Sequence, residues 1–179
     1  SARKPIRTIE DMKGLKIRVP SRNSGLLVEA WGGTPVSMPV SEVYNALQTG
    51  VIDAAMIDGT ATKAFKLGEV ANYVTLGMKT TNSPFFIVMN RDAWQALTDE
   101  QKAAIQEAGK QASLNGQQSQ LKVAASGIEA MATMPGKEVI RLTADQAAPF
   151  DAIAAEVTAK IVAESGGEAK TFADALSAQ

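Results

Sequence analysis

The chain has 179 residues, 45% of them hydrophobic, and 18 basic side chains against 19 acidic ones leave a net charge of −1. That length holds one buried core or two unequal lobes, and the lack of a basic excess argues against nucleic acid or an anionic membrane surface as partner. With no histidine and no cysteine there is no disulfide, no thiolate metal site and no Ser-His-Asp triad, so ordinary hydrolase mechanisms fall away and neither metal nor cofactor is expected.

The opening "SARKPIRT" reads as the middle of a longer chain, and no apolar run approaches the ~20 residues of a membrane-spanning helix. In "MKGLKIRVPSRN", Leu15, Ile17 and Val19 alternate with Lys16, Arg18 and Pro20, the period of a half-buried strand that puts Arg18 on its less apolar face. Pro20 ends that strand. "GLLVEAWGG" predicts a helix with Leu26, Leu27, Ala30 and Trp31 on one side and Gly32 and Gly33 as its stop. "TPVSMPV" predicts a strand ending at Pro39 and Val40. Ser41 is then expected to cap a helix through "EVYNALQTG", with Val43 and Leu47 one turn apart on its buried face and Gly50 at its end. "VIDAAMID", residues 51–58, predicts a third strand, and a helix is expected around "ATKAFKLGEVA".

Strands alternating with short helices imply a parallel sheet with helices on its faces. A fourth, strongly apolar strand is predicted over "PFFIVMN", residues 84–90. Thr98 and Gln101 form a capping box that opens one very long helix, weakened by Gly109, Gly116 and Gly127. "KEVIRL" predicts a short strand. Thr143 and Gln146 repeat the capping box and start a last helix, ended by Gly166 and Gly167.

Arg18 is the strongest candidate for chemistry, because it stands at the carboxyl end of a parallel strand, where ligands bind in open α/β sheets. The neighbouring strand ends, at Met38, Pro39 and Val40 and at Met56, Ile57 and Asp58, would complete a mouth of one arginine, apolar walls and one aspartate. Such a mouth suits a small apolar acid: guanidinium grips a carboxylate with two parallel hydrogen bonds while apolar side chains bury the rest. A structural ion pair is the competing role for such an arginine. Asp53 and Asp58 fall on opposite faces of a regular strand, which disfavours a two-carboxylate enzyme. Trp31 and Phe65 are expected to be core anchors, and Gly32 with Gly33 lacks the context of a nucleotide-binding loop.

Taken together, "GLKIRVP", "GGTPVSMPVSEVYNALQTGVIDAA" and "FKLGEVANYVT" resemble the solute-binding component of tripartite ATP-independent periplasmic (TRAP) transporters, from about Asp11 through the long helix. The resemblance implies a periplasmic-binding-protein-like fold of type II: an α/β lobe with a parallel-rich sheet flanked by helices, plus a long hinge-spanning helix. It implies residues 1–83 as a ligand-binding lobe in βαβαβα order, and residues 84–179 as a hinge-crossing strand, the long helix and a final strand and helix packing on both lobes. The amino-terminal lobe would then be largely absent. It also implies a periplasmic, non-catalytic protein that captures a small carboxylate and hands it to TRAP permease subunits in the membrane.

In this family an arginine of the "RVP" strand salt-bridges the ligand carboxylate, and Arg18 fills that position, with Ser21 and Arg22 in the cleft-lining turn after it. Val40 stands where many acid-sugar binders have phenylalanine, and Ile57 where they have a contacting asparagine. Asp58, Gly59 and Thr60 replace a Pro-Trp-Glu segment of a branch that includes binders of aromatic or other apolar monocarboxylates. A ligand of that apolar kind is therefore expected, along with self-association through surface that a missing lobe would cover. The alternative function is the effector-sensing domain of a transcriptional regulator with the same architecture.

Overall fold

The computed structural model describes residues 1–80 and 84–177, the last two by backbone alone. The chain opens with a 3-10 turn, Ile9–Met12, capped by Thr8 and Asp11. Strand β1 (Lys16–Val19) leads to helix α1 (Arg22–Ala30), β2 (Thr34–Ser37), α2 (Val43–Thr49) and β3 (Ala54–Ala55). The three strands form a parallel sheet in the order β2-β1-β3, with Arg18 opposite Val36 on one side and Ala55 on the other. Two short helices, α3 (Ala61–Ala64) and α4 (Leu67–Val70), precede β4 (Tyr73–Leu76). After α5 (Arg91–Gln95) comes the 34-residue helix α6 (Asp99–Ala132), then β5 (Glu138–Arg141), α7 (Ala144–Ser165) and α8 (Gly167–Ser177). β5 pairs with β4 as a second parallel sheet.

Helices cover both faces of the first sheet. On one, Ile17 and Val19 pack with Leu27, Val28 and Trp31 of the α1 region and with Phe150 and Ala154 of α7. Trp31 and Phe150 meet edge to face at 5.4 Å, and the Trp31 indole N–H donates to the Phe150 carbonyl at 3.1 Å. On the other, Val43, Ala46, Leu47, Ile52, Ala61 and Leu67 form a second core, with Val36 and Met38 against it. Arg18 points toward this second face, yet it is buried, because a parallel sheet is covered on both sides.

The α/β architecture, the parallel sheet and both capping boxes agree with expectation, as do the burial of Val43 and Leu47 and the left-handed Gly50 stop. Other elements differ, each for a physical reason. The α1 face is Ser24, Leu27, Val28 and Trp31, the i, i+3, i+4 and i+7 positions of one helix stripe, which leaves Ala30 exposed and Leu26 only half-buried; the helix also starts earlier than expected, at the Ser21 cap. β2 stops at Ser37, and Ser41 lies inside a 3-10 turn, Val40–Glu42, so Glu42 and not Ser41 precedes α2. The third strand shrinks to Ala54–Ala55. The single helix expected after it breaks at Lys66, whose positive φ of 53° starts a new turn. β4 was not anticipated. Residues 84–90 form no strand and lie exposed, since no strand among the described residues pairs with them. Phe65 is 39% exposed and is no core anchor. Gly166 ends α7, but Gly167 begins α8. The lobe boundary expected after residue 83 adjoins residues 81–83, which lie outside the described residues.

Gly127 is not a weak point of α6 but its point of closest approach. A methyl group there would stand 2.2 Å from the Thr62 hydroxyl oxygen and 3.2 Å from the Gly59 carbonyl, whereas one at Gly116 would meet open space. This contact seats α6 against α3 and the turn before it. Gly127→Ala should therefore lower unfolding free energy by about 1–3 kcal/mol through overpacking, while Gly116→Ala should raise it by about 0.5–1 kcal/mol through helix propensity. Denaturant melts of the two variants check the opposite signs.

Candidate functional site

The carboxyl edge of the first sheet brings three segments to one place. Arg18 is 7% exposed. Its Nε–H donates to the Met38 carbonyl at 3.1 Å and its Nη1–H to the Met56 carbonyl at 3.4 Å, so the side chain laces β1 to the segments that follow β2 and β3. The Met56 N–H returns a bond to the Arg18 carbonyl at 2.8 Å. No carboxylate pairs with Arg18 among the described residues. Burial pulls the guanidinium pKa below its ordinary value, and arginine nonetheless stays cationic in a protein. No fully buried side-chain nitrogen or oxygen lacks a partner there, so the rest of the guanidinium fork, which has no protein acceptor among the described residues, keeps access to solvent. The arginine is thus a held cation with donors to spare. Its placement corrects the wet, half-exposed position that strand alternation suggested.

Met56, Ile57 and Asp58 line an open cleft of about 620 Å³ together with Pro20 and Thr60 on one side and Gln117, Gln120, Leu121 and Ala124 of α6 on the other. Arg18 does not itself line that cleft; it is linked to it through the carbonyl of Met56, which does. The Asp58 carboxylate accepts from the backbone N–H of Thr60 at 2.9 Å and from the Thr60 hydroxyl, so it shapes the turn after β3. Asp53 accepts from the Lys16 N–H at 2.9 Å, at the opposite end of the sheet, and the two carboxylates share no site.

The other expected residues are placed less directly. The Ser21 hydroxyl oxygen caps α1, accepting from the Ser24 N–H at 3.2 Å, and lies 2.9 Å from the Ser24 hydroxyl. Arg22 opens α1 and is exposed, while Pro39 and Val40 begin the 3-10 turn before α2. None of these four lines the cleft. Sequence reasoning missed the opposing wall. Gln117, Gln120, Leu121 and Ala124 repeat at the i, i+3, i+4 and i+7 spacing of one helix face, and that spacing is the signal that could have found it. Among the described residues no group of three or more acidic side chains could hold a metal ion, and no helix is long and apolar enough to cross a membrane.

Comparison with known proteins places this geometry in a family. The family described as bacterial extracellular solute-binding protein, family 7, matches residues 1–165. The ectoine/5-hydroxyectoine-binding periplasmic protein of Ruegeria pomeroyi is 31% identical over 166 residues, covering 90% of this chain and 48% of its own. The ectoine-binding protein of a TRAP transporter from Halomonas elongata superposes with a TM-score of 0.82 at 26% identity, covering 97% of this chain and 56% of its own. A TRAP solute-binding protein of Rhodoferax ferrireducens, solved with copurified benzoate, gives a TM-score of 0.78 at 26% identity over 90% of this chain and 52% of its own. The chain spans about half the length of these proteins. The regulator alternative finds no support among these matches. By its family match and by its periplasmic-binding-protein-like fold, the chain belongs to the family 7 extracellular solute-binding proteins, the solute-binding proteins of TRAP transporters.

Proposed function

We propose that this chain takes part in capturing a small organic acid by its carboxylate, in the periplasm, for delivery to a TRAP-type membrane permease, without catalysing any reaction. The observation that carries the proposal is Arg18: a buried cation on two backbone carbonyls, with no carboxylate partner among the described residues and part of its fork in reach of solvent. Burying a charge is costly unless it is paired. A ligand carboxylate would supply the missing pair and take the free N–H groups in bidentate fashion. Met56, Ile57 and Leu121 give the adjoining cleft an apolar character. They support an apolar or aromatic monocarboxylate, of which benzoate, found with the relative from Rhodoferax ferrireducens, is an example.

The cleft between the sheet edge and α6 is open, and a binder of this kind gains most from enclosing its ligand. We assign its cover to a second lobe, seated over the exposed side chains of Phe85, Phe86 and Ile87 and the outward face of α6, which together border a groove of about 960 Å³. In this scheme residues 1–83 are the ligand-binding lobe and residues 84–179 the part that reaches the second.

Three measurements follow. First, NMR titration of the chain with benzoate should shift the resonances of Arg18 and Met56, and benzamide, isosteric but uncharged, should leave them in place. Equal response to both would remove the carboxylate from the account. Second, Arg18→Lys keeps the charge and loses the planar fork, so benzoate binding should weaken by about tenfold or more. Arg18→Ala should lose roughly 2–5 kcal/mol of binding, which is about thirtyfold to several thousandfold. Because Arg18 also satisfies the Met38 and Met56 carbonyls, Arg18→Ala should in addition lower unliganded stability by about 1–3 kcal/mol. Third, the run from Phe85 to Met89, 52–97% exposed, should drive self-association of this chain at high concentration. Sedimentation equilibrium should show dimers or larger species that Ile87→Lys disperses; a monomeric mass at all concentrations would contradict this.

A further inference from the structure

Asp58 and Gly59 are the only Asp-Gly pair in the sequence. They lie in the turn between β3 and α3, with Asp58 exposed at the cleft. Packing requires the glycine: a methyl group on Gly59 would stand 3.0 Å from the Ile128 side chain and 3.1 Å from that of Ala124, both on α6. The turn uses the aspartate, whose Oδ1 accepts from the Thr60 N–H at 2.9 Å and from the Thr60 hydroxyl.

Those two bonds fold the Asp58 carboxyl back over the peptide that joins it to Gly59, in the manner of an Asx turn. The carboxyl carbon is thereby kept beside the Gly59 nitrogen, which no Cβ shields. The carbonyls of the turn are occupied, that of Asp58 accepting from the Ala61 N–H at 3.2 Å and that of Gly59 from the Thr62 hydroxyl at 2.7 Å. The Gly59 N–H has no acceptor among the described residues. A nucleophile and an electrophile held next to each other gain rate from proximity alone. Asp53 lacks this arrangement. It is followed by Ala54, buried in β3 and paired with Ile17, and its carboxylate is turned to the Lys16 N–H at 2.9 Å.

We infer that Asp58 and Gly59 form a site of spontaneous isomerisation, which alters the wall of the cleft as the protein ages. The Gly59 nitrogen attacks the side-chain carboxyl carbon of Asp58 and forms a C–N bond, and its proton leaves with the carboxyl hydroxyl as one water. Water then opens the resulting succinimide. Opening at the main-chain carbonyl leaves the chain running through the side-chain carbon, which is isoaspartate: one more methylene in the backbone, and a free carboxylate where the peptide carbonyl stood. No oxidant or reductant is consumed. The added length has no room on the side of Ala124 and Ile128, so the turn loses its bonds to Thr60 and the seat of α6 loosens. This inference is independent of the ligand proposed above.

The test holds the folded chain at neutral pH and body temperature for weeks, beside a synthetic peptide of residues 51–63 as the unfolded reference. Electron-transfer mass spectrometry of the tryptic peptide of residues 23–63, which contains both Asp53 and Asp58, locates the isoaspartate. It should accumulate at position 58 of the folded chain, preceded by a species lighter by one water, and not at position 53. Asp58→Glu, whose longer side chain would need a larger ring, should stay unmodified. In chains that carry isoaspartate, amide exchange at residues 124–128 should quicken relative to that of α7. No isoaspartate at position 58 once the peptide has acquired it, equal amounts at positions 53 and 58, or unaltered exchange at residues 124–128 in the modified chain would overturn the inference.

Discussion

The organisation of the site depends on one buried cation. Arg18 lies on the middle strand of a three-stranded parallel sheet, and its guanidinium is held by carbonyls from the segments following both neighbouring strands. A charge in such a place must be offset, and backbone dipoles offset it only in part. The same two bonds that keep the arginine in place also fix the positions of Met38 and of Met56, the latter in the cleft wall. A lysine could carry the charge but could not span both carbonyls and still offer a planar fork.

The surrounding elements serve to hold that edge. The two apolar cores clamp the sheet from opposite faces, and the Trp31–Phe150 contact ties α7 to the end of α1. On the far side of the cleft, the glycine contact of α6 with Thr62 and Gly59 brings Gln117, Gln120 and Leu121 opposite Met56 and Ile57. The helix that carries this wall is otherwise largely exposed.

Much of the fold was legible in the sequence, because its signals are local. The Thr98–Gln101 and Thr143–Gln146 boxes mark helix starts that the structure reproduces, and the alternation of Leu15, Ile17 and Val19 marks the central strand. What was not legible depends on contacts distant in sequence. Tyr73–Leu76 is a strand because β5, more than 60 residues on, lies beside it. Residues 84–90 have strand composition and no strand partner among the described residues, so composition alone misleads there. Gly127 resembles a helix flaw until Thr62 is seen against it. For the site, the position of Arg18 at a strand end could be read, but its burial could not: period-two alternation assigns it a wet face, and only helices packed on both sides of a parallel sheet make that face dry. Asp58 was legible as a neighbour of the mouth; its use as a turn-forming acceptor was not.

The most direct measurement is a crystal structure of this chain soaked with benzoate at saturating concentration. The account predicts a carboxylate with both oxygens within about 3 Å of the Arg18 guanidinium and its ring against Met56 and Ile57. A carboxylate bound to another cation, with Arg18 still bonded only to the Met38 and Met56 carbonyls, would contradict it.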